Sequence, residues 1–149
     1  MKRFFALCLV CTLVFLSSCV YKATSPYELM QDFTNEYCGT GTVYTPRAAE
    51  GEVGYVSDKI RKQLFTNTEL IPLDYAIYMY SRVDTVTEVG MLSSVGIADK
   101  SDLCDMCLDR LDVLSSLMSG EGGVLVEGGV VIYWFSSERG VLEALKKIT

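Results

Sequence analysis

Cys104-Asp105-Met106-Cys107 has the spacing of a dithiol site. Two cysteines three apart in the first turns of a helix that follows a strand lie where the helix N-terminus lowers a thiol pKa, as redox proteins require. The neighbouring residues oppose that use. Cys107 falls on the apolar side of the helical repeat with Leu103 and Leu111, Asp102 and Asp105 disfavour a thiolate, and no proline follows Pro72 to stand beside the pair. Zinc would need two more ligands, and without histidine only Cys38 and carboxylates are left. Three readings stay open: buried or half-buried thiols, a structural disulfide involving Cys38 or the local pair, and redox or metal work.

The same helix carries Asp102, Asp105, Asp109 and Asp112 at spacings that place them on one face, opposite the apolar side. Such a stripe suits a calcium patch, a basic partner or plain solvation, and solvation is the simplest account because no loop with an EF-hand pattern occurs. Tyr75, Tyr78 and Tyr80 offer rings that stack a sugar or pack across strands. Gly39-Thr40-Gly41 and Gly120 to Gly123 lack the following Lys-Ser/Thr of a phosphate loop. The absence of histidine also excludes Ser-His-Asp and Cys-His nucleophile systems and HExxH metal sites. No catalytic residue, metal or cofactor is therefore assigned.

The N-terminus has a more specific chemistry. Met1-Lys2-Arg3 precedes an uncharged run from Phe4 to Leu16, which ends in Ser17-Ser18-Cys19. The run falls short of the roughly 20 residues a spanning helix needs, so it is read as a secretory signal. Leu16-Ser17-Ser18-Cys19 resembles the bacterial lipobox: the small residues before the cut admit a peptidase, and Cys19 takes a diacylglyceryl thioether. Cleavage falls between Ser18 and Cys19. Acyl chains at about 0.8 kcal/mol per buried methylene then give stable anchoring without a spanning helix.

Cleavage removes Lys2 and Arg3 and no acid, moving the formal charge from −6 to −8. That balance repels nucleic acid and anionic headgroups, so the lipid alone must hold the chain to the membrane. The expected organisation is a signal over 1–18, an anchor and short tether over 19–25, and a single domain over 26–149 on the extracytoplasmic face of the cell membrane.

The elements that must position these residues follow from periodicity and caps. Ser25-Pro26-Tyr27-Glu28 is a capping box with proline at the first helical position, and Gly39 fits just past the end of a helix over Pro26 to Cys38. Tyr27, Met30, Phe33 and Tyr37 share its buried face. A loop is expected from Gly39 to Gly54, and a short helix from Ser57 to Phe65 burying Ile60, Leu64 and Phe65. Strands are expected at Tyr75 to Tyr80 and Glu88 to Val95. A Ser101-capped helix then runs to Met118 with Leu103, Cys107, Leu111, Leu114 and Met118 inward, ended by Gly120 to Gly123. Val124 to Glu127 and Val130 to Phe135 flank Gly128-Gly129 as a hairpin. A last helix covers Ser137 to Ile148, with Val141, Leu142, Leu145 and Ile148 facing inward. The fold class is α+β: a mainly antiparallel four-stranded sheet in the order β-β-α-β-β-α, with helices on one face and two short helices before it. The two ββα units could form a weak internal repeat.

Asp74-Tyr75-Ala76-Ile77-Tyr78, Glu88-Val89-Gly90-Met91, Leu108-Asp109-Arg110-Leu111 and Gly128 to Ser136 carry a resemblance. Over 57–149 the chain resembles an uncharacterised lipoprotein family, a domain of unknown function found mainly in clostridia and related Firmicutes. The chain departs from it at Ser115 to Gly123, a short glycine-rich stretch where members have a longer one with Tyr and Pro. The resemblance implies a lipid-anchored extracytoplasmic domain and no known activity. The expected function is thus a bacterial lipoprotein with a small non-catalytic binding or accessory domain, partnered by the membrane and an unidentified envelope protein. The alternative is a thiol-active envelope protein using Cys104 and Cys107.

Overall fold

The computed structural model describes residues 25–66, 73–83, 85–94 and 100–149. The signal run, the Ser18/Cys19 junction and the lipidation site lie outside the described residues, as do Pro72 and Val95. Among the described residues no helix is long and apolar enough to cross a membrane.

Helix α1 spans Pro26–Tyr37. Its capping box is closed in both directions: the Ser25 hydroxyl accepts from the Glu28 N–H at 3.2 Å, and the Glu28 carboxylate accepts from the Ser25 N–H at 3.3 Å. Tyr27 is only half-buried, and Leu29 joins Met30 and Phe33 on the buried face. The helix ends one residue earlier than expected. Cys38, not Gly39, takes the left-handed position, with φ 53°, and its N–H reaches the Thr34 carbonyl at 3.0 Å. Gly39 is required for a different reason, because a Cβ there would run into the Tyr78 hydroxyl and the Tyr37 ring.

The expected loop over 39–54 contains a strand, β1 (Thr42–Tyr44), so the sheet has five strands. Three residues are too few to show an alternation, and flanking Gly and Pro mask them. Its partner is β2 (Leu73–Ser81), paired antiparallel with Val43 opposite Tyr78. Next comes α2 (Asp58–Leu64), capped by the Ser57 hydroxyl. It buries none of its own residues: Ile60 is exposed and Leu64 only partly covered, while Phe65, extended beyond the helix, enters the core.

β2 forms a hairpin with β3 (Val86–Ser94), and β3 pairs with β5 (Val130–Ser136), which pairs with β4 (Glu121–Glu127); the order is β1-β2-β3-β5-β4, antiparallel throughout. Between them, α3 (Lys100–Leu117) begins one residue before Ser101, which lies in its first turn. Residues 121–123 belong to β4 instead of ending the helix. Gly122 permits this, since Leu111 of α3 and the Phe135 ring lie against it, 3.0 and 3.2 Å from where a Cβ would stand. Gly128 and Gly129, at φ 56° and 87°, make the β4–β5 turn. The last helix, α4 (Val141–Ile148), starts at Gly140 and not at Ser137. Ser137 instead ties the end of β5 to β3, donating its N–H to the Val86 carbonyl at 2.9 Å and accepting from the Val86 N–H with its hydroxyl at 2.9 Å.

Helices cover both faces of the sheet, which corrects the expected one-sided arrangement. On one face α1 and α4 pack on Ala76, Tyr78, Val89, Met91, Ile132 and Trp134; on the other α3 and Phe65 pack on Tyr75, Ile77, Leu92, Val131, Tyr133 and Phe135. The reason is visible in β5, whose seven residues are all buried: an unbroken apolar run has no solvent face, so both sides need a cover. The opposite placement of α3 and α4 also separates the two ββα units. A rotation normal to the sheet exchanges antiparallel β3 and β5 but would leave both helices on one face.

Candidate functional site

Alternation along β2 divides its tyrosines. Tyr75 turns toward α3 and packs on Phe65, with ring centroids 5.8 Å apart, whereas Tyr78 and Tyr80 face the α1 side. The three rings do not form one stacking platform. The last turn of α1 brings Tyr37 to Tyr78 at 5.7 Å, edge to face, and Phe33 backs both rings at 5.3 and 5.7 Å. Gly41 donates its N–H to the Tyr78 hydroxyl at 2.9 Å and holds β1 against this cluster. The result is an open cleft of about 220 Å³ lined by Tyr37, Cys38, Gly39, Thr40, Tyr78, Tyr80 and Glu138. Beyond Tyr80 and Glu138 a shallower depression adds Arg82, Val83 and Thr85, and the Arg82 guanidinium lies 5.5 Å over the Tyr80 ring.

Glu138 is held by two hydrogen bonds. Its own N–H donates to the Ser136 hydroxyl at 2.9 Å, and its Oε2 accepts from the Tyr37 hydroxyl at 3.0 Å. Ser136 is buried and lies 2.8 Å from the equally buried Thr87 hydroxyl, where either can donate to the other. Burial raises the Tyr37 pKa; the nearby Thr87 hydroxyl lowers it and the adjacent carboxylate raises it, so Tyr37 remains a donor at neutral pH. Burial likewise raises Tyr78. Glu138 Oε1 takes no hydrogen bond from the described residues.

The thiols are not brought together with this cleft, Cys38 excepted. Cys38 is exposed at its rim, Cys104 is half-buried and Cys107 is buried, and none of the three is in a disulfide. Burial, with a smaller contribution from Cys104, pushes the Cys107 thiol up to about 12. A thiol protonated by burial is not itself a nucleophile near neutral pH.

The same shift has a stability consequence. Cys107 is protonated in both states below the ordinary thiol pKa of about 8.5, so its contribution is intact there; above it the unfolded chain ionises first, and stability falls by at most about 1.4 kcal/mol per pH unit until the folded thiol titrates. Urea unfolding from pH 7.5 to 10.5 should show this decline. The decline should be shallower in Cys107→Ala, and equal slopes in the two proteins would assign it to other groups.

Asp102, Asp105, Asp109 and Asp112 are all exposed along α3. Asp109 accepts from the Thr66 hydroxyl at 3.0 Å, and among the described residues no three acidic or cysteine side chains converge as a metal site. The charged group that sequence spacing did not single out is Glu88. It is buried, 4% exposed, beneath α3; Arg110 donates to both its oxygens at 2.8 and 2.7 Å, and Tyr133 donates to Oε1 at 2.7 Å. Gly90 makes room for that tyrosine ring. The triad is internally satisfied and lines none of the clefts described above, so it ties α3 to the sheet. Glu138, Thr87 and Ser136 were also not legible: Tyr37 and Glu138 are 101 residues apart, and local periodicity carries no signal for such a contact.

Compared with known proteins, the chain matches no family model, no curated protein and no solved structure.

Proposed function

We propose that this chain is a lipid-anchored extracytoplasmic bacterial lipoprotein whose small non-catalytic domain binds a ligand in the Tyr37–Tyr78–Tyr80–Glu138 cleft. The observation that carries the reading is Leu16-Ser17-Ser18-Cys19 at the end of an uncharged run behind Lys2-Arg3. Membership of 57–149 in a lipoprotein family of clostridia and related Firmicutes is part of the same proposal and rests on the sequence resemblance alone. Five residues, 20–24, separate Cys19 from the cap of α1, and the cleft sits at the other end of that helix, about 18 Å along its twelve residues.

What supports a binding role is a cleft walled by tyrosine rings around one carboxylate. Burial of Cys107 works against the thiol-active alternative. The test of the anchor is incorporation of labelled palmitate in a bacterial host. The wild-type chain should take up label and partition into detergent, and Cys19→Ala should take up none. An unlabelled wild-type chain, or a labelled Cys19→Ala, would overturn the assignment.

A further inference from the structure

We infer that the cleft between the end of α1 and β2 recognises an organic ammonium group, primary or quaternary; this rests on the cleft being the binding site. The electrostatics favour a cation. Among the described residues Glu138 is the one carboxylate side chain lining the cleft, and no basic side chain lines it. Arg82, in the adjoining depression, lies over the Tyr80 ring, and Lys147 pairs with Glu36 at 2.9 Å. The Tyr37 hydroxyl commits Oε2, and the bond from the Glu138 N–H to Ser136 anchors the residue at its backbone, leaving Oε1 to meet a ligand. A carboxylate positioned in advance loses less entropy on binding than a mobile one.

The aromatic walls point the same way. Tyrosine rings attract cations through their electron-rich faces, and a carboxylate set among such rings is the usual means of holding an alkylammonium in water. One face of Tyr37 is stacked on Phe33 and one face of Tyr80 lies under Arg82, so each ring has one face left for a ligand, and the glucose arm of the test separates a sugar from a cation. Gly39 contributes no side chain to the cleft, and a Cβ there would run into the Tyr78 hydroxyl and the Tyr37 ring. The strongly acidic chain adds a long-range field of the right sign.

The experiment is a titration of the mature chain in detergent with four probes: choline, n-butylamine, 3,3-dimethylbutan-1-ol as the neutral isostere of choline, and glucose. Binding is read by calorimetry and by protection of Cys38 from alkylation, the modified residue being located by mass spectrometry. Choline or butylamine should bind saturably and slow alkylation of Cys38, and whichever binds tighter identifies the source as quaternary or primary. The neutral alcohol should bind at least tenfold more weakly, and Glu138→Gln should weaken the cations at least tenfold. Glu138 is exposed, so its variant keeps the core intact, and an unchanged melting curve is the control. Equal binding of the alcohol, or cation binding unaffected by Glu138→Gln, overturns the inference. Glucose binding without cation binding overturns it while leaving the cleft as a ligand site. If no probe binds, both the inference and the cleft reading fall, whereas the lipid anchor stands or falls separately on palmitate labelling.

Discussion

Arg110→Leu is expected to destabilise the domain by about 3 to 5 kcal/mol, read as a fall in the urea midpoint without a change in slope. The cost does not come from the ion pair being strongly favourable. Glu88 and Arg110 have side chains only 5% and 14% exposed, and burying both charges consumes most of what their attraction returns. The cost arises because leucine leaves the Glu88 carboxylate buried with the Tyr133 hydroxyl as its remaining donor. Two controls separate this from lost packing. Glu88→Leu combined with Arg110→Leu should lie well above the sum of the single losses, with a coupling of a few kcal/mol, because no orphan charge is left. Tyr133→Phe should cost only about 1 to 2 kcal/mol, since Arg110 still engages both oxygens. An Arg110→Leu protein within about 1 kcal/mol of wild type would mean that water or a rearranged side chain satisfies Glu88.

Gly90→Ala is expected to cost about 2 to 3 kcal/mol, although glycine-to-alanine changes in strands generally help. Gly90 stands directly opposite Tyr133 in the β3–β5 register, and the Tyr133 ring lies across the glycine so closely that an added Cβ would collide with it, the ring Cζ lying 2.5 Å away. Elsewhere a side chain would swing aside. Tyr133 is fully buried, and its hydroxyl is held by Glu88, so displacing the ring also breaks that bond. In a Tyr133→Leu background the same alanine should become neutral or mildly stabilising. Thermal melts of the four proteins check this, and an equal loss in both backgrounds would place the strain in the β3 backbone instead of against the ring.

These two predictions meet at the same triad, and its residues show how much of the molecule was readable. Glu88, Gly90, Arg110 and Tyr133 each stand in a segment whose local pattern was recognisable: two strands and one helix with a clear apolar side. That Glu88 would be buried was not readable, because a lone acid in a strand is ordinarily the solvent-facing member of an alternation. Its burial depends on α3 covering that face, and α3 reaches Glu88 only through a contact 22 residues away in the chain. The same applies to the cleft. Tyr37, Tyr78 and Tyr80 were each visible as aromatic residues in a helix or strand, while the carboxylate that completes the site comes from the turn after β5.

What the sequence determined by itself was everything that local chemistry decides. The Ser25 capping box, the Gly128-Gly129 turn and the positions of β2, β3 and β5 rest on contacts within a few residues, so their energies are encoded where they act. The lipobox-like Leu16 to Cys19 is proposed as a signal read as a linear string, which needs no fold to be meaningful. Only the tertiary structure decided that β1 exists, that helices cover both faces of the sheet, that Glu88 finds Arg110, and that Glu138 is wired to Tyr37. Each of these is a pairing between distant segments, whose free energy appears only when the chain has closed the loop between them.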